Sequence, residues 1–323
     1  MKTNSTSQIP RKLAKKVILL TLAALALAAS SALAADANWI GTTGSWFDAG
    51  SWDTHQAPDA NTNAFINNGG TAQINADAPM AEALSLTLGL NAGDSGTVQV
   101  TPPFGDLSVS QAIFVGKQGA GKLASTFGTT TSTTASIGSL AGSNGSVTVD
   151  GTSSTWAVSG EFDVGGTTTG AGGTALLTVS NGGTVTAASL HVWNSGTLTG
   201  NGTVSVNSGS GTATVDGTLA PSGTLTISGN LTFASSAANM RCNVSSTSVD
   251  KAEVSGIATL NGKLSVTLNG FFTGDFTLLH ANGGLGTTSF SSYSFTYTGC
   301  LSPSIVYNRA NGDVILHVVS TCQ

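Results

Sequence analysis

The chain has 323 residues, of which only 8% are charged and 40% apolar, with a formal net charge of −5. Five of its eleven basic residues fall within the first 16 positions, so the rest carries no basic track for phosphate backbones or acidic polysaccharides, and nucleic-acid binding is excluded as a function class. Mean hydropathy is positive at +0.19, whereas a disordered chain combines low hydrophobicity with high net charge.

Met1–Ala34 has the three parts of a secretory signal in order. Lys2, Arg11, Lys12, Lys15 and Lys16 form a basic start, Val17–Ala29 is an apolar core, and Ala32-Leu33-Ala34 is a small-residue cleavage site. A membrane anchor needs about 20 apolar residues; this core is shorter, so cleavage after Ala34 is expected. No second apolar stretch of spanning length follows. The mature chain of about 290 residues then carries six basic residues against sixteen acids, a net of −10.

Beyond Ala34 the apolar residues come in short alternating runs: Val98-Gln99-Val100, Leu107-Ser108-Val109, Val147-Thr148-Val149, Ala175–Val179, Val204-Ser205-Val206, Leu225-Thr226-Ile227 and Leu264–Leu268. Period-2 alternation is the mark of a half-buried strand. Turn pairs such as Asn144-Gly145, Asp150-Gly151, Asn201-Gly202 and Asp216-Gly217 separate the runs. Met80–Leu90 is the one helix candidate, and it runs into strand-like Leu86-Thr87-Leu88.

Shifting the chain by 49 places lays Gly96–Gly116 on Gly145–Gly165 without a gap. Val98, Val100, Val109, Ser110 and Val115 repeat, while Leu107 and Ile113 meet Trp156 and Phe162. Leu177–Val192 is a third, shorter copy, with Leu190 and Val192 following Phe162 and Val164. A fixed long period points to stacked coils, here two coils of about 20–25 residues per unit. The expected fold is all-β, a right-handed parallel β-helix (β-solenoid) ending in an antiparallel hairpin, with a β-sandwich as the alternative. The expected divisions are a signal at 1–34, a cap and first coils at 35–95, the repeat solenoid at 96–235 and a C-terminal β segment at 236–323.

Gly145–Ala188, with its SVTVDGTSSTWAVSGEFDVGG and LLTVSNGGTVTA, resembles the bacterial repeat of autotransporter passengers and PEP-CTERM-associated proteins. Asn38–Asp53 resembles the opening segment of such proteins, Leu198–Ala234 their last passenger coils, and Ala252–Leu268 with Phe276–Val319 the segment that leads to a translocating barrel. The resemblance implies a β-helix at or beyond the outer membrane of a Gram-negative-type bacterium. No barrel-like amphipathic stretch follows Val319 and no sorting helix with a basic tail precedes Gln323, so a passenger-like chain without its own barrel is expected.

The candidates for chemistry are few. His55, His191, His280 and His317 are widely separated and lack a metal-ligand spacing partner. Val115–Gly121 is glycine-rich and holds Lys117 but lacks the phosphate-loop spacing, so it reads as a turn. Glu161 and Asp163 share one strand face and could form an acid/base pair, but Phe162 between them takes the inward place, which is expected to leave both acids solvated. Asp48, Asp53 and Asp59 gather near the N-terminus without a calcium-loop spacing. Trp39, Trp46 and Trp52 crowd into fourteen residues and read as a cap over the open end of the core, which needs bulky cover, with a platform for sugar rings as the alternative. Trp156 is expected to fill a coil in register with Leu107. Counting outward from the Ala310-Asn311-Gly312 turn puts Cys300 opposite Cys322, the expected disulfide, and leaves Cys242 unpaired.

The expectation is therefore an exported, non-catalytic protein at the cell surface or outside it, serving adhesion, matrix or surface architecture, without a cofactor or metal, and partnered by extracellular polysaccharide or other surface proteins. The alternatives are a carbohydrate-binding module using the N-terminal tryptophans and a polysaccharide-degrading β-helix enzyme.

Overall fold

The structure is a computed structural model that describes Met1 and residues 34–75, 80–102 and 105–322; the expected export signal, at residues 2–33, lies outside the described residues. In Asn144–Asp150 the residues Gly145, Val147 and Val149 are buried while Ser146 and Thr148 are half-exposed. The same every-second-residue burial recurs in Thr174–Ser180, Thr184–Ala187, Thr203–Val206 and Lys263–Asn269. Short strands with one apolar face are not stable alone, and each is buried here by its neighbours along the stack.

The strands form three long sheets. One holds ten strands from Ala35–Asn38 to Ala258–Thr259, and a second holds eleven from Thr43–Ser45 to Ser292–Thr296. The third also holds eleven and runs from Ala81–Ala83 to the C-terminal hairpin. From Thr62 onward each coil contributes one strand to each sheet, and successive coils pair in parallel. The molecule is therefore a parallel β-solenoid and not a sandwich, which would need two antiparallel sheets. The sheets run without interruption past residues 95 and 235, with Asn68–Ile74 paired to Ser95–Val100 and Thr218–Pro221 to Asn239–Ser245. Met80–Leu90 is extended, forming Ala81–Ala83 and Ser85–Leu88. Among the described residues no helix is long and apolar enough to cross a membrane.

The 49-residue repeat is two coils deep. Val98 pairs with Leu123 and Leu123 with Val147. In the same way Ile113, Ala135 and Phe162 stand in one inward column, and Leu107, Thr130 and Trp156 in another. The coil between the two copies carries small residues, Thr130 and Ala135, where its neighbours carry large ones. That spacing makes room for Trp156 and Phe162, which are fully buried with ring centroids 4.8 Å apart. Leu190 and Val192 sit one coil beyond Phe162 and Val164.

Both ends of the core are covered. At the N-terminal end Trp52 packs edge-on against Trp39 and Trp46 at centroid distances of 5.1 and 5.0 Å, and the Trp52 indole N–H donates to the Trp46 carbonyl at 2.8 Å. At the C-terminal end the parallel order stops: Asp313–Ser320 pairs antiparallel with both Gly274–Ala281 and Leu301–Asn308. Cys300 and Cys322 are joined by a disulfide across the open end of that hairpin, with Cα atoms 5.2 Å apart. Cys242 is buried and free, and desolvation pushes its thiol pKa far above the ordinary value, which makes it an inert core residue.

These columns make a sharp stability prediction. Phe162→Ala should cost about 3–5 kcal/mol, the range for truncating a buried aromatic, because neighbouring coils cannot close on the space. Thr148→Ala, on the outer face of the second sheet, should cost under about 0.5 kcal/mol. Equilibrium denaturation of both variants checks this, and equal costs would contradict the inward assignment.

Candidate functional site

The site begins with a corner. In four successive coils the first-sheet strand ends in an apolar residue followed by a glycine with positive φ: Leu88-Gly89 (69°), Val115-Gly116 (75°), Ile137-Gly138 (63°) and Val164-Gly165 (86°). Glycine takes this left-handed turn at no steric cost. In the next coil the residue after Val192 is Trp193, and the column of glycines ends there. Its indole lies back along the outer face of the sheet, stacked on His191 with centroids 3.7 Å apart, and its N–H donates to Asp163 Oδ1 at 2.7 Å.

One coil earlier, directly after the Gly165 corner, the chain makes an excursion. Gly166–Thr167 pairs antiparallel with Gly170–Ala171, forming a small flap over the first sheet. A side chain at Gly166 could not be accommodated: a Cβ there would stand 2.4 Å from the Gly170 carbonyl oxygen and 2.6 Å from Trp193 Cδ1. Ser136 ties the flap down, its Oγ donating to the Gly166 carbonyl at 2.6 Å and lying 2.7 Å from Ser139 Oγ.

Trp193 and the flap overturn the expectation that Asp163 is solvated. Asp163 does stand in an outward column of the first sheet, after Phe114 and Ser136 and before His191. It is nevertheless only 3% exposed. Burial pushes its carboxyl pKa above the usual range, the Trp193 N–H pulls it back, the neighbouring Glu161 pushes it up and His191 pulls it down. Glu161, two residues earlier on the same face, stays half-exposed. Both acids line an open cleft of about 290 Å³ together with Phe114, Thr134, Ser136 and Thr167. Lys117 Nζ lies 4.9 Å from the centre of the Phe114 ring. Trp193 was absent from the sequence-derived candidates; the broken glycine column is the signal that marks it.

The remaining candidates are accounted for separately. Trp39, Trp46 and Trp52 are 2%, 0% and 0% exposed, so no sugar ring can stack on them and the platform reading fails. The open end of the core has consumed their faces. Asp48 accepts from the Gly50 N–H and the Ser51 hydroxyl, Asp53 from the Asn38 backbone and side chain, and Asp59 from Asn61 and Thr62. Each of the three acids thus closes its own local turn or strand end. The Thr62 hydroxyl, and then the Asn61 N–H, hold Asp59 below the usual carboxylate range. Among the described residues no three His, Cys, Asp or Glu side chains converge as a metal site.

Three of the four histidines each meet one aspartate instead of one another: His191 with Asp216 at 2.7 Å, His280 with Asp313 at 2.6 Å and His317 with Asp275 at 2.5 Å. Two larger grooves lie elsewhere. One of about 350 Å³ along the third sheet is lined by hydroxyl and small apolar residues such as Thr131, Ala157 and Thr186. The other, of about 400 Å³, lies beside Arg241 and the buried Cys242. Neither brings a carboxylate, a histidine or an accessible thiol to its wall. The Glu161–Asp163 cleft brings two carboxylates and the Phe114 ring to one wall.

Two predictions follow from these geometries. Asp163→Ala strands the Trp193 indole N–H and should cost about 1–3 kcal/mol, the penalty for an abandoned part-buried donor. Asp163→Asn keeps an acceptor and sheds the cost of the buried charge, so its denaturation midpoint should lie close to wild type. At His280 the hydrogen bond to Asp313 raises the pKa against desolvation, and Asn282 Oδ1 at 2.9 Å adds a second acceptor. Because the folded pKa is raised, this contribution is full below the unfolded value of about 6.5 and is lost as pH rises through the folded pKa. The stability difference between wild type and His280→Ala should therefore shrink from about pH 5 to pH 9; a pH-independent difference would refute the linkage.

No protein-family model matches the chain, and no curated relative is similar to it, so fold and site carry the functional reading.

Proposed function

We propose that this is an exported structural protein of the cell surface or extracellular matrix, acting through its stacked β-scaffold and not through catalysis. The observation that carries the reading is the core itself. Three sheets of ten or eleven strands share one continuous interior with both ends closed, by three tryptophans at one and by a disulfide-linked hairpin at the other. A disulfide suits an oxidising compartment, which accords with the secretory pattern of the first 34 residues. The strongly acidic balance after Ala34 keeps such a protein soluble and free of polyanions. The pairing of histidines with single aspartates accords with a scaffold role, since each pair links neighbouring strands or the corner beside them. Fold alone does not assign activity, and the non-catalytic part of the reading rests on how these groups are partnered.

In cells that make the protein, it should be found outside the cytoplasm with an N-terminus at or near Ala35, and external protease should reach it on intact cells. The purified chain should leave a panel of plant and bacterial polysaccharides uncut. Cytoplasmic material that retains Met1, or release of reducing ends that disappears in Glu161→Gln, would overturn the proposal.

A further inference from the structure

We infer that the cleft between Phe114, the Glu161–Asp163 edge and the Gly166–Ala171 flap is a binding site for one ring of a non-acidic glycan. The inference goes beyond the structural role and does not depend on where the protein is placed.

The cleft differs from the rest of the outer surface in being built. The outer face of the solenoid is otherwise dominated by threonine and serine in register, which needs no special support. Here the chain departs from the coil to make a flap, and places at its base a glycine that tolerates no side chain. It also ends the glycine column at Trp193 and uses that indole to orient the carboxyl group of Asp163, a residue only 3% exposed. Burying a carboxyl is costly, and a single hydrogen bond leaves most of that cost uncompensated. Oδ1 is held by Trp193, while Oδ2 makes no hydrogen bond among the described residues and Asp163 lines the cleft. An acceptor fixed by a second residue, with a free oxygen on a cavity wall, is preorganised for a donor from outside.

The lining sets the chemistry of that donor. Two carboxylates offer acceptors to hydroxyl or amine groups, Thr134 offers a hydroxyl of either polarity, and Phe114 offers an apolar surface to ring C–H groups, while the Thr167 hydroxyl is held within the flap by Thr169. A mixture of fixed acceptors, a hydroxyl and one aromatic suits the alternating polar edge and apolar face of a sugar ring. At about 290 Å³ the cleft is at the low end of the roughly 300–1,000 Å³ of small-molecule sites, which limits it to about one ring, with the rest of a chain extending over the open side. The acids repel uronate, sulfate and phosphate groups. Lys117 is the one nearby cation on the Phe114 side, and His191 is engaged by Trp193 and Asp216. The shared chemistry is thus a neutral or amine-bearing sugar.

The test uses the purified full chain and isothermal titration with four probes: cellohexaose, N-acetylchitohexaose, glucosamine hexamer and pentagalacturonate. Fluorescence gives a second readout, because Trp193 is the one tryptophan of five that is not buried. At least one of the first three should bind with Kd of about 1 mM or tighter, with a change in tryptophan emission, and pentagalacturonate should not bind. Binding by cellohexaose or N-acetylchitohexaose identifies a neutral ring, and binding by glucosamine hexamer alone identifies an amino sugar held by the two carboxylates. Glu161→Gln and Phe114→Leu should each weaken binding about tenfold, as for loss of one charge-assisted contact or one packing face. Asp163→Asn should do so with its fold intact; if that variant unfolds, the other two decide. Four outcomes would overturn the inference: no binding by the three non-acidic probes up to about 10 mM, equal binding of pentagalacturonate, unchanged affinity in Glu161→Gln and Phe114→Leu, or calcium alone taking the site in an EGTA-reversible way.

Discussion

Everything in this fold depends on parallel strand pairing that holds each coil about 4.8 Å from the next. Over so short a distance an inward side chain cannot avoid the residue above or below it, so the volume of each column must be balanced from coil to coil. Large residues at Trp156 and Phe162 are matched by small ones one coil before them, at Thr130 and Ala135. The cost of the arrangement is visible in Thr130, whose hydroxyl is fully buried and finds no partner. A side chain of that size was needed beside Trp156, and a threonine meets the volume while leaving a polar atom unsatisfied.

The same constraint explains where function can be placed. A solenoid cannot admit a ligand into its filled core, so any site must be made on the outside, by letting the chain leave the coil and return to it. The flap at Gly166–Ala171 is such a departure, and it is stabilised from three sides: Ser136 from one coil before, Trp193 from one coil after, and the Gly172 N–H bonded back to the Gly165 carbonyl at 2.7 Å. Elsewhere the outward columns of the first sheet carry Thr214 and Thr232, half-exposed beside each other without such support, and Thr87, which is buried between Phe65 and Phe114.

Much of this was legible in the sequence because it is periodic. Alternation located the strands, and the 49-residue offset gave the correct inward columns at Val98, Leu107 and Ile113, since burial in a stack acts identically on every copy. The hairpin register could be counted from its turn for the same reason. What remained hidden is aperiodic. Asp163 obeys the outward rule of its strand, and it is buried because Trp193, thirty residues later in the chain, and the Gly166–Ala171 flap fold over it. Trp39, Trp46 and Trp52 are a partial exception: the need to cover an open core end already favours a cap, and their mutual edge-on packing fills that place.

This contrast bears on which residues are informative in such a protein. Side chains that keep the repeat are explained by stacking alone, whatever the protein does. Residues that break the repeat at a cost need another reason: a corner without its glycine, an excursion from the coil, a carboxyl kept from water. At the first sheet these three departures meet around one residue, Asp163, which lines the cleft beside Phe114 and the flap and is bonded to Trp193 behind it. Each alone would be an irregularity of the kind that any long stack tolerates. Trp193 supplies the bond to Asp163 and the wall against Gly166 at once, so the departures are coupled through one side chain. Removing it would expose the carboxyl and release the flap together, whereas a loop with no task could be shortened to the glycine corner of the preceding coils without loss.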